Sequence, residues 1–351
     1  MRRLPVFLIL DVSESMAGPN RDQIEEGIGT IVATLRTNAQ ALDTVYLSVI
    51  AFAGIARTLV ELCELPALRA PALPIGGGTA LGAALDLTMD EIDRQVVRGD
   101  STRKGDWRPI VYLFTDGKPT DDIAAPRSRW QSSYRSRVDL VAIAIGEYAD
   151  QAVLATLTDT VVTFDPKVSG GFEVLVRWMT ESVSMQSECV GDPDAGRISL
   201  AKVDERAISH ARQGHQNASN ADADCIVLIG RCQTTARPYL LKYDRIQSEA
   251  VSTEFLSITA GGYRIAGAYP LTEQYFEWTR QGTSGGQAST TDLQGAAACP
   301  WCGNPITIAQ CGCGHLFCLA GPGAAHCPWC HSDVDFQGGG DADFSVQRGQ
   351  G

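Results

Sequence analysis

Short apolar runs alternate with segments of helical apolar spacing along the first 185 residues. Runs of four to eight apolar residues are typical of buried strands, and their alternation with helices is typical of a mainly parallel sheet covered on both faces. The pattern therefore predicts an α/β fold with a doubly wound, mainly parallel sheet of about six strands. The predicted strands are 6–10, 45–52, 56–62 (antiparallel), 110–114, 138–145 and 161–164; the predicted helices are 23–35, 81–97, 151–157 and 172–183, with a helix or loop at 127–137.

The pattern changes after residue 187, where apolar periodicity gives way to turn-rich and polar sequence. We interpret 188–224 as a linker with a short helix near 200–210. Residues 225–280 predict a small β-rich region, with a hairpin formed by 225–232 and 237–243 and further strands near 255–259 and 263–268. The Gly/Ser/Thr-rich segment 281–298 predicts a flexible linker, 299–336 a cysteine-rich module and 337–351 a disordered tail. The first domain is thus 1–187.

Oxygen-bearing side chains follow two of the predicted strands in the first domain. Asp11 ends the first apolar run and precedes Ser13 and Ser15, Asp116 ends the run 110–114, and Thr79 lies in the glycine-rich loop before a helix. Open parallel sheets carry ligand sites at the carboxyl ends of their strands, and hard oxygen ligands suit Mg²⁺, Mn²⁺ or Ca²⁺. Asp and Ser are also ordinary loop and cap residues, so the first loop alone does not decide between the two interpretations.

The three segments DVSESM, GGGTALGAAL and LFTDGKPTD, in this order, resemble the von Willebrand factor A domain over roughly residues 4–185. The resemblance implies a Rossmann-like fold with a metal-ion-dependent adhesion site. It assigns five ligands to one ion, directly or through water: Asp11, Ser13, Ser15, Thr79 and Asp116.

Seven of the eleven cysteines lie between Cys299 and Cys330, which in a cytosolic chain indicates metal binding rather than disulfides. Two Cys-Pro-Trp-Cys knuckles predict one or two Zn²⁺ ions. The predicted ligands are Cys299, Cys302, Cys311, Cys313, His315, Cys318, Cys327 and Cys330. The remaining cysteines are interpreted as small buried hydrophobes.

Two ligand pairings stay open at this point. In a ribbon, both knuckles share one zinc, and 311, 313, 315 and 318 hold a second. In a cross-brace, the first knuckle joins Cys318 and one more ligand, and the second knuckle joins Cys311 or Cys313. His326 and His331 are spare ligands at best. The module is similar to RING fingers, but position 321 is glycine where a ligand is needed, which weakens a ubiquitin-ligase interpretation.

The A-type domain, the hairpin IGRCQTTARPYLLKY and the cysteine pattern together resemble the bacterial TerY family. The resemblance implies a non-enzymatic adaptor in tellurite-resistance or chemical-stress systems. It also implies partners, a Ser/Thr protein kinase and a PP2C-type phosphatase.

The net charge of −12 and its even distribution argue against nucleic-acid and anionic-membrane partners. The apolar run after Arg2 and Arg3 is short for a signal peptide and has no cleavage site, so we expect a cytoplasmic protein. The leading hypothesis is a metal-dependent protein-binding adaptor, in which a partner Asp or Glu completes the ion's shell. The alternatives are a Mg²⁺-dependent phosphoryl-transfer enzyme, for which Lys118 is the nearest recognisable cation, and a RING-like ligase.

Overall fold

A computed structural model describes residues 2–99, 102, 104–146, 149–165, 171–188, 208–210, 224–246, 251–253, 256–258, 262–280, 285–336 and 343–349. The chain divides into two compact units. The first comprises Met1–Val12, Pro19–Leu73 and Thr79–Ala218, and the second comprises Ser13–Gly18, Pro74–Gly78 and Ser219–Gly351. Two short loop segments of the N-terminal half therefore pack as part of the second unit.

The first unit contains a seven-stranded sheet in the order β3-β2-β1-β4-β5-β6-β7. Strands β1, β2, β4, β5 and β6 run parallel, while β3 and β7 pair antiparallel at the two edges. The strands are β1 Leu4–Asp11, β2 Val45–Phe52, β3 Ala56–Glu64, β4 Ile110–Thr115, β5 Asp139–Ile145, β6 Thr160–Phe164 and β7 Ile208–His210. The predicted doubly wound α/β fold is confirmed.

Helices cover both faces of this sheet, as a parallel sheet with buried strands requires. The α1 and α6 helices pack together over one face, and α3, α4 and α5 contribute to an apolar core on the other. The helices are α1 Pro19–Leu35, α2 Ala39–Thr44, α3 Leu81–Gln95, α4 Ala124–Ser133, α5 Gln151–Ala155 and α6 Gly171–Glu188. In α3, residues at helical spacing, Leu81, Leu85, Met89 and Ile92, are buried in that core.

The start of α3 is fixed by a side chain from a distant loop. The backbone N–H groups of Gly82 and Ala83 donate to the two carboxylate oxygens of Asp121, both at 3.0 Å. A carboxylate there satisfies two unpaired donors and interacts favourably with the positive end of the helix. A Cβ on Gly82 would lie 2.7 Å from the carbonyl oxygen of Asp122, so glycine allows this close approach.

The second unit contains a six-stranded sheet in the order β14-β12-β9-β8-β16-β15. The predicted hairpin is present, because β8 and β9 pair antiparallel through their whole length. A small apolar core beside it includes Leu228, Tyr239 and Leu241. The strands are β8 Cys225–Arg231, β9 Pro238–Arg245, β10 Val251–Thr253, β11 Leu256–Ile258, β12 Tyr263–Pro270, β13 Gln287–Ser289, β14 Leu293–Gln294, β15 Ile306–Gln310, β16 Leu316–Leu319, β17 Gly323–His326, β18 Asp333–Phe336 and β19 Ser345–Gln347. The α-helix among the described residues of this unit is α7 Gln274–Trp278.

Two segments predicted to be irregular contain strands. In the expected flexible linker, β13 pairs antiparallel with β19 of the expected disordered tail. The central residues of this pair, Ala288 and Val346, are buried in the core of the second unit. Burial of these apolar side chains and the backbone hydrogen bonds between the two strands stabilise this pairing. The polar composition of both segments did not indicate it. The predictions of a flexible linker at 281–298 and a disordered tail at 337–351 are therefore wrong for the described parts of both segments.

The predicted linker 188–224 lies mostly outside the described residues. Its described part, Ile208–His210, is the edge strand β7 rather than the end of a short helix, because it pairs with β6. A three-residue edge strand shows no periodicity that sequence could reveal. No helix among the described residues is long and apolar enough to cross a membrane.

Candidate metal sites

The first cysteine group joins Cys232, Cys299, Cys302 and Cys318, whose sulfur atoms all lie within 4.8 Å of one another. Cys232 follows β8, the knuckle 299–302 precedes β15, and Cys318 lies in β16, which runs parallel to β8. Three of the four side chains are buried. This group therefore lies inside the core of the second unit.

The second group joins Cys311, Cys313, Cys327 and Cys330 in the same way. Cys311 and Cys327 are buried, while Cys313 and Cys330 are exposed. The two knuckles are closed alike, since the N–H of Gly303 donates to the carbonyl of Cys299 at 2.9 Å and that of His331 to Cys327 at 3.0 Å. Both Gly303 and His331 have positive φ, so the second knuckle holds a strained residue where the first has glycine.

The spacing of the sulfur atoms fits tetrahedral zinc. The distances are 3.5 Å for Cys302–Cys318, 3.6 Å for Cys311–Cys330 and 3.9 Å for Cys313–Cys327. A tetrahedral ion with Zn–S bonds of about 2.3 Å places its sulfurs about 3.8 Å apart. Four thiolates form a soft ligand set that selects zinc over hard cations. Each group can therefore hold one Zn²⁺.

Nearby hydrogen bonds favour the ionised form of one thiol in each group. Burial acts to raise the pKa of Cys232, but hydrogen bonds from Thr235 outweigh it and hold the pKa at about 7. Hydrogen bonds from Ser332 lower the pKa of Cys330 to about 6. By contrast, burial raises the pKa of Cys318. A metal ion supplies the positive charge that such a buried thiolate needs.

The structure brings seven of the eight predicted zinc ligands into these groups and separates the eighth. The pairing is interleaved: the first knuckle joins Cys318, and the second joins Cys311 and Cys313, as in the cross-braced alternative rather than the ribbon. His315 belongs to neither group; its ring stacks on Trp329 at 4.5 Å. We therefore replace His315 with Cys232 in the candidate set.

Sequence reasoning missed Cys232 because it lies far along the chain from the cluster and follows an apolar strand. It was interpreted as a buried hydrophobe, which describes its burial but not its neighbours. In the turn after Cys232, the N–H of Thr235 donates to the cysteine sulfur at 3.4 Å. An N–H···S contact of this kind stabilises metal-bound thiolates.

The predicted oxygen ligands of the first unit lie at the ends of adjacent strands. In the register of β1 with β4, Leu10 pairs with Phe114, so Asp11 and Asp116 end neighbouring strands. Asp11 is buried, and its Oδ2 accepts a hydrogen bond of 2.6 Å from the hydroxyl of Thr115. Such a bond to a buried carboxylate restricts its rotation. Sequence reasoning did not identify Thr115.

Thr79 and Asp116 are also held by local hydrogen bonds. The N–H of Thr79 donates to the hydroxyl of Thr120 at 2.8 Å, and the N–H of Thr120 donates back to the carbonyl of Thr79 at 2.9 Å. An oxygen of the Asp116 carboxylate accepts from the N–H of Lys118 at 3.2 Å. These bonds fix the backbone from which the two side chains project.

Ser13 and Ser15 follow Asp11 along the chain and pack within the second unit. Their hydroxyl oxygens lie 3.0 Å apart, and Ser13 forms a backbone bridge with Gly76. Two hydroxyls at this spacing can bind one cation. The binding of a single ion by all five oxygen-bearing residues stays a prediction.

The loop that carries these serines is held by three residues that the sequence did not single out. Lys242 Nζ donates to the carbonyl oxygen of Ser15 at 2.6 Å. Between the two serines, Glu14 is fully buried, and its Oε1 accepts from the hydroxyl of Tyr275. Burial and the nearby Glu14 carboxylate raise the pKa of Tyr275 well above its usual value, so this phenol stays protonated. The loop is thereby fixed within the second unit.

Comparison with known proteins identifies two families. A model of the von Willebrand factor type A domain matches residues 6–167, and one of the TerY-C metal binding domain matches residues 222–351. No curated protein matches the chain.

Among solved structures, proximal thread matrix protein 1 from the mussel byssus is 16% identical with a TM-score of 0.37, covering 52% of this chain and 48% of that chain. A von Willebrand factor type A protein from Catenulispora acidiphila is 20% identical with a TM-score of 0.39, covering 52% and 43%. The ArnB paralog VWA2 from Sulfolobus acidocaldarius is 12% identical with a TM-score of 0.38, covering 80% and 70%. The chain spans about half or less of the length of the first relatives.

Proposed function

The chain has the TerY-like architecture, a von Willebrand factor type A domain followed by a TerY-C metal-binding domain, and on this basis we propose that it is a non-enzymatic adaptor that binds a protein partner through a divalent metal ion. The ion is Mg²⁺, or Mn²⁺ or Ca²⁺ in its place. The proposed ligands are Asp11, Ser13, Ser15, Thr79 and Asp116. The proposed activity is the binding of a protein partner, in which no covalent bond is made or broken.

The fixed Asp11 carboxylate is the observation that carries this proposal. Its Oδ2 accepts from Thr115 at 2.6 Å, and it is nearly inaccessible to solvent. A carboxylate held in this way can serve as a permanent ligand, whereas a general base must be free to take a proton from a substrate.

The ligand count supports recognition of an acidic partner. Mg²⁺ demands six oxygen ligands in a near-octahedral shell. The five side chains leave one position, which a partner's Asp or Glu fills. A carboxylate is favoured there because its charge pairs with the ion where water is partly excluded.

We further propose that the cysteine groups hold structural zinc. Each has four sulfur ligands, which leaves no open position for catalysis. The TerY resemblance suggests the partners, a Ser/Thr protein kinase and a PP2C-type phosphatase of a bacterial tellurite-resistance or stress phosphorylation system. A cytoplasmic location agrees with free thiols at all described cysteines.

The substitution Asp11→Ala tests the adaptor, with Asp159→Ala as matched control. Asp159 is 70% exposed and pairs with Arg135 on the surface of the first unit. Mn²⁺ binding is measured by electron paramagnetic resonance, and partners are captured in Mg²⁺ and identified by mass spectrometry. We expect Asp11→Ala to lose both Mn²⁺ and the partners, and Asp159→Ala to keep both.

A chelator alone is an insufficient test, because it also strips the cysteine groups. If Asp11→Ala captures the kinase and phosphatase as well as the wild type does, the metal-dependent mechanism is wrong. Metal-dependent phosphatase or nuclease activity that disappears in Asp11→Ala would instead favour the enzyme.

A further inference from the structure

The short helix α7 supports the serine loop from within the second unit. The Tyr275 hydroxyl donates to the buried carboxylate of Glu14, the residue between Ser13 and Ser15. Removing one donor from a buried carboxylate has a desolvation cost, so this bond favours one loop conformation. The Tyr275 hydroxyl therefore contributes to the placement of the two serine hydroxyls.

The end of α7 also holds the second loop segment, 74–78. The hydroxyl of Thr279 accepts a hydrogen bond of 2.8 Å from the N–H of Gly77. A Cβ on Gly76 would lie 2.6 Å from Cβ of Trp278 and 2.7 Å from its carbonyl oxygen. The backbone of this segment, which leads directly into Thr79, thus lies against the end of α7.

The other side of α7 contacts the second cysteine group. The ring of Phe276 meets that of Trp329 edge to face, with centroids 6.0 Å apart, and meets Tyr275 at 5.2 Å. Trp329 lies inside the knuckle between Cys327 and Cys330. Its indole N–H donates to the carbonyl of Leu316 at 2.7 Å.

The side chain of Arg231 adds cation–π contacts to this pair of rings. The guanidinium of Arg231 lies 5.2 Å from the Phe276 ring and 4.6 Å from the Trp329 ring. It also pairs with both oxygens of Glu273, at 2.7 and 2.9 Å. Cation–π contacts and a two-point ion pair hold the knuckle, the strand β8 and the start of α7 in one arrangement.

We propose that Phe276 and Tyr275 are positioning residues that couple zinc at the second cysteine group to the serine ligands of the proposed adhesion-type site. This inference rests on the proposed function, because it assigns regulation to that same site. Zinc fixes the knuckle and hence Trp329; Trp329 fixes Phe276, and α7 carries the constraint to Glu14. Coupling of this kind is reciprocal, so zinc occupancy raises affinity for the hard cation and the hard cation stabilises zinc.

The substitution Tyr275→Phe tests the last contact, with Tyr243→Phe as matched control. Tyr243 is also buried in the second unit, and its hydroxyl has no hydrogen-bond partner among the described residues. Mn²⁺ affinity is measured by electron paramagnetic resonance, and hydrogen exchange of residues 13–18 is measured without Mn²⁺. We expect about tenfold weaker Mn²⁺ binding and faster exchange in Tyr275→Phe, and wild-type values in Tyr243→Phe.

The zinc end is tested with Cys330→Ser and Phe276→Leu. Cys330→Ser removes an exposed ligand, and we expect one zinc per chain and about tenfold weaker Mn²⁺ binding. Phe276→Leu keeps an apolar side chain and both zinc ions but breaks the ring contacts, and we expect a similar loss. Combining Cys330→Ser with Tyr275→Phe should cause no greater loss than the larger single effect, because both interrupt one relay.

These variants separate failure of the coupling from failure of the site. If Asp11→Ala abolishes Mn²⁺ binding while Tyr275→Phe and Phe276→Leu bind Mn²⁺ like the wild type, only the coupling is overturned. Strictly additive losses in the double variant also overturn it. If Asp11→Ala binds Mn²⁺ normally, the proposed site and the coupling both fall.

Discussion

The assignment of Cys232 as a zinc ligand is tested by replacing it with alanine and comparing this change with Cys225→Ala. Both cysteines are buried and lie at opposite ends of the same hairpin strand, one at the start of β8 and one directly after it. Only Cys232 belongs to a four-sulfur group. The pair therefore separates loss of a ligand from loss of a buried thiol.

The expected magnitudes differ by several kcal/mol. Removing a buried sulfur atom from a packed core costs on the order of 1 kcal/mol, which applies to both variants. Structural zinc contributes roughly 10–16 kcal/mol at four-ligand sites, so one lost thiolate of four costs roughly 2.5–4 kcal/mol more. At about 1.4 kcal/mol per tenfold change, the zinc affinity of the first group falls by about two to three orders of magnitude.

The assay measures zinc per chain by mass spectrometry after dialysis against a competing chelator, followed by cobalt substitution. Charge-transfer and d–d absorption of cobalt report how many thiolates surround it. We expect two zinc ions in Cys225→Ala, and one firmly bound zinc in Cys232→Ala, with cobalt absorption of a three-thiolate site. Two zinc ions held equally tightly in both variants would refute the assignment of Cys232. Zinc loss in His315→Ala would show instead that His315 is a ligand, as predicted from the sequence.

Three further substitutions test contacts in the two units. Thr115→Val removes a donor to the buried Asp11 carboxylate, so we expect about tenfold weaker Mn²⁺ binding and a free energy of unfolding lower by about 1–3 kcal/mol; unchanged affinity would contradict a positioning role. Trp130→Phe removes the indole donor to the carbonyl of Leu157, at 3.0 Å in the core, and should lower the free energy of unfolding by about 1–3 kcal/mol in urea titrations. Gly76→Ala places a methyl group at 2.6 Å from its neighbour and should speed hydrogen exchange of residues 74–78; unchanged exchange would show that this segment is not tightly held.

Elements with strong periodicity were predictable because local sequence and tertiary burial agree in them. The strand 45–52 was predicted with the bounds that the structure has, and the helix beginning at Leu81 ends within two residues of its prediction. Both are apolar where they face the core and are bounded by turn or polar residues. The fold class and the parallel strands of the first domain could therefore be derived from pattern alone.

Partners distant in the chain were not predictable in this way. The strand Ser345–Gln347 has no pattern of its own and is stabilised by β13, a segment that looked equally irregular. Likewise Cys232 gains its role from cysteines more than sixty residues further along the chain, at positions 299, 302 and 318, and Tyr275 from a loop near the other end of the chain. Short-range pattern carries no information about such pairs, and one sequence without aligned relatives shows no covariation.

The two cysteine groups and the serine loop differ in the contacts that hold them in place. The first cysteine group lies among the apolar side chains of the second unit's core. The second group has two exposed ligands and contacts α7 through Trp329. In the serine loop, Glu14 is buried and hydrogen-bonded to Tyr275, so the position of α7 favours this loop conformation. In the proposed coupling, the second cysteine group is the one whose zinc affects the position of the serines. Under the proposed coupling, binding of an acidic partner and zinc occupancy of the second cysteine group stabilise each other, and the hydrogen bond between Tyr275 and Glu14 carries part of this coupling.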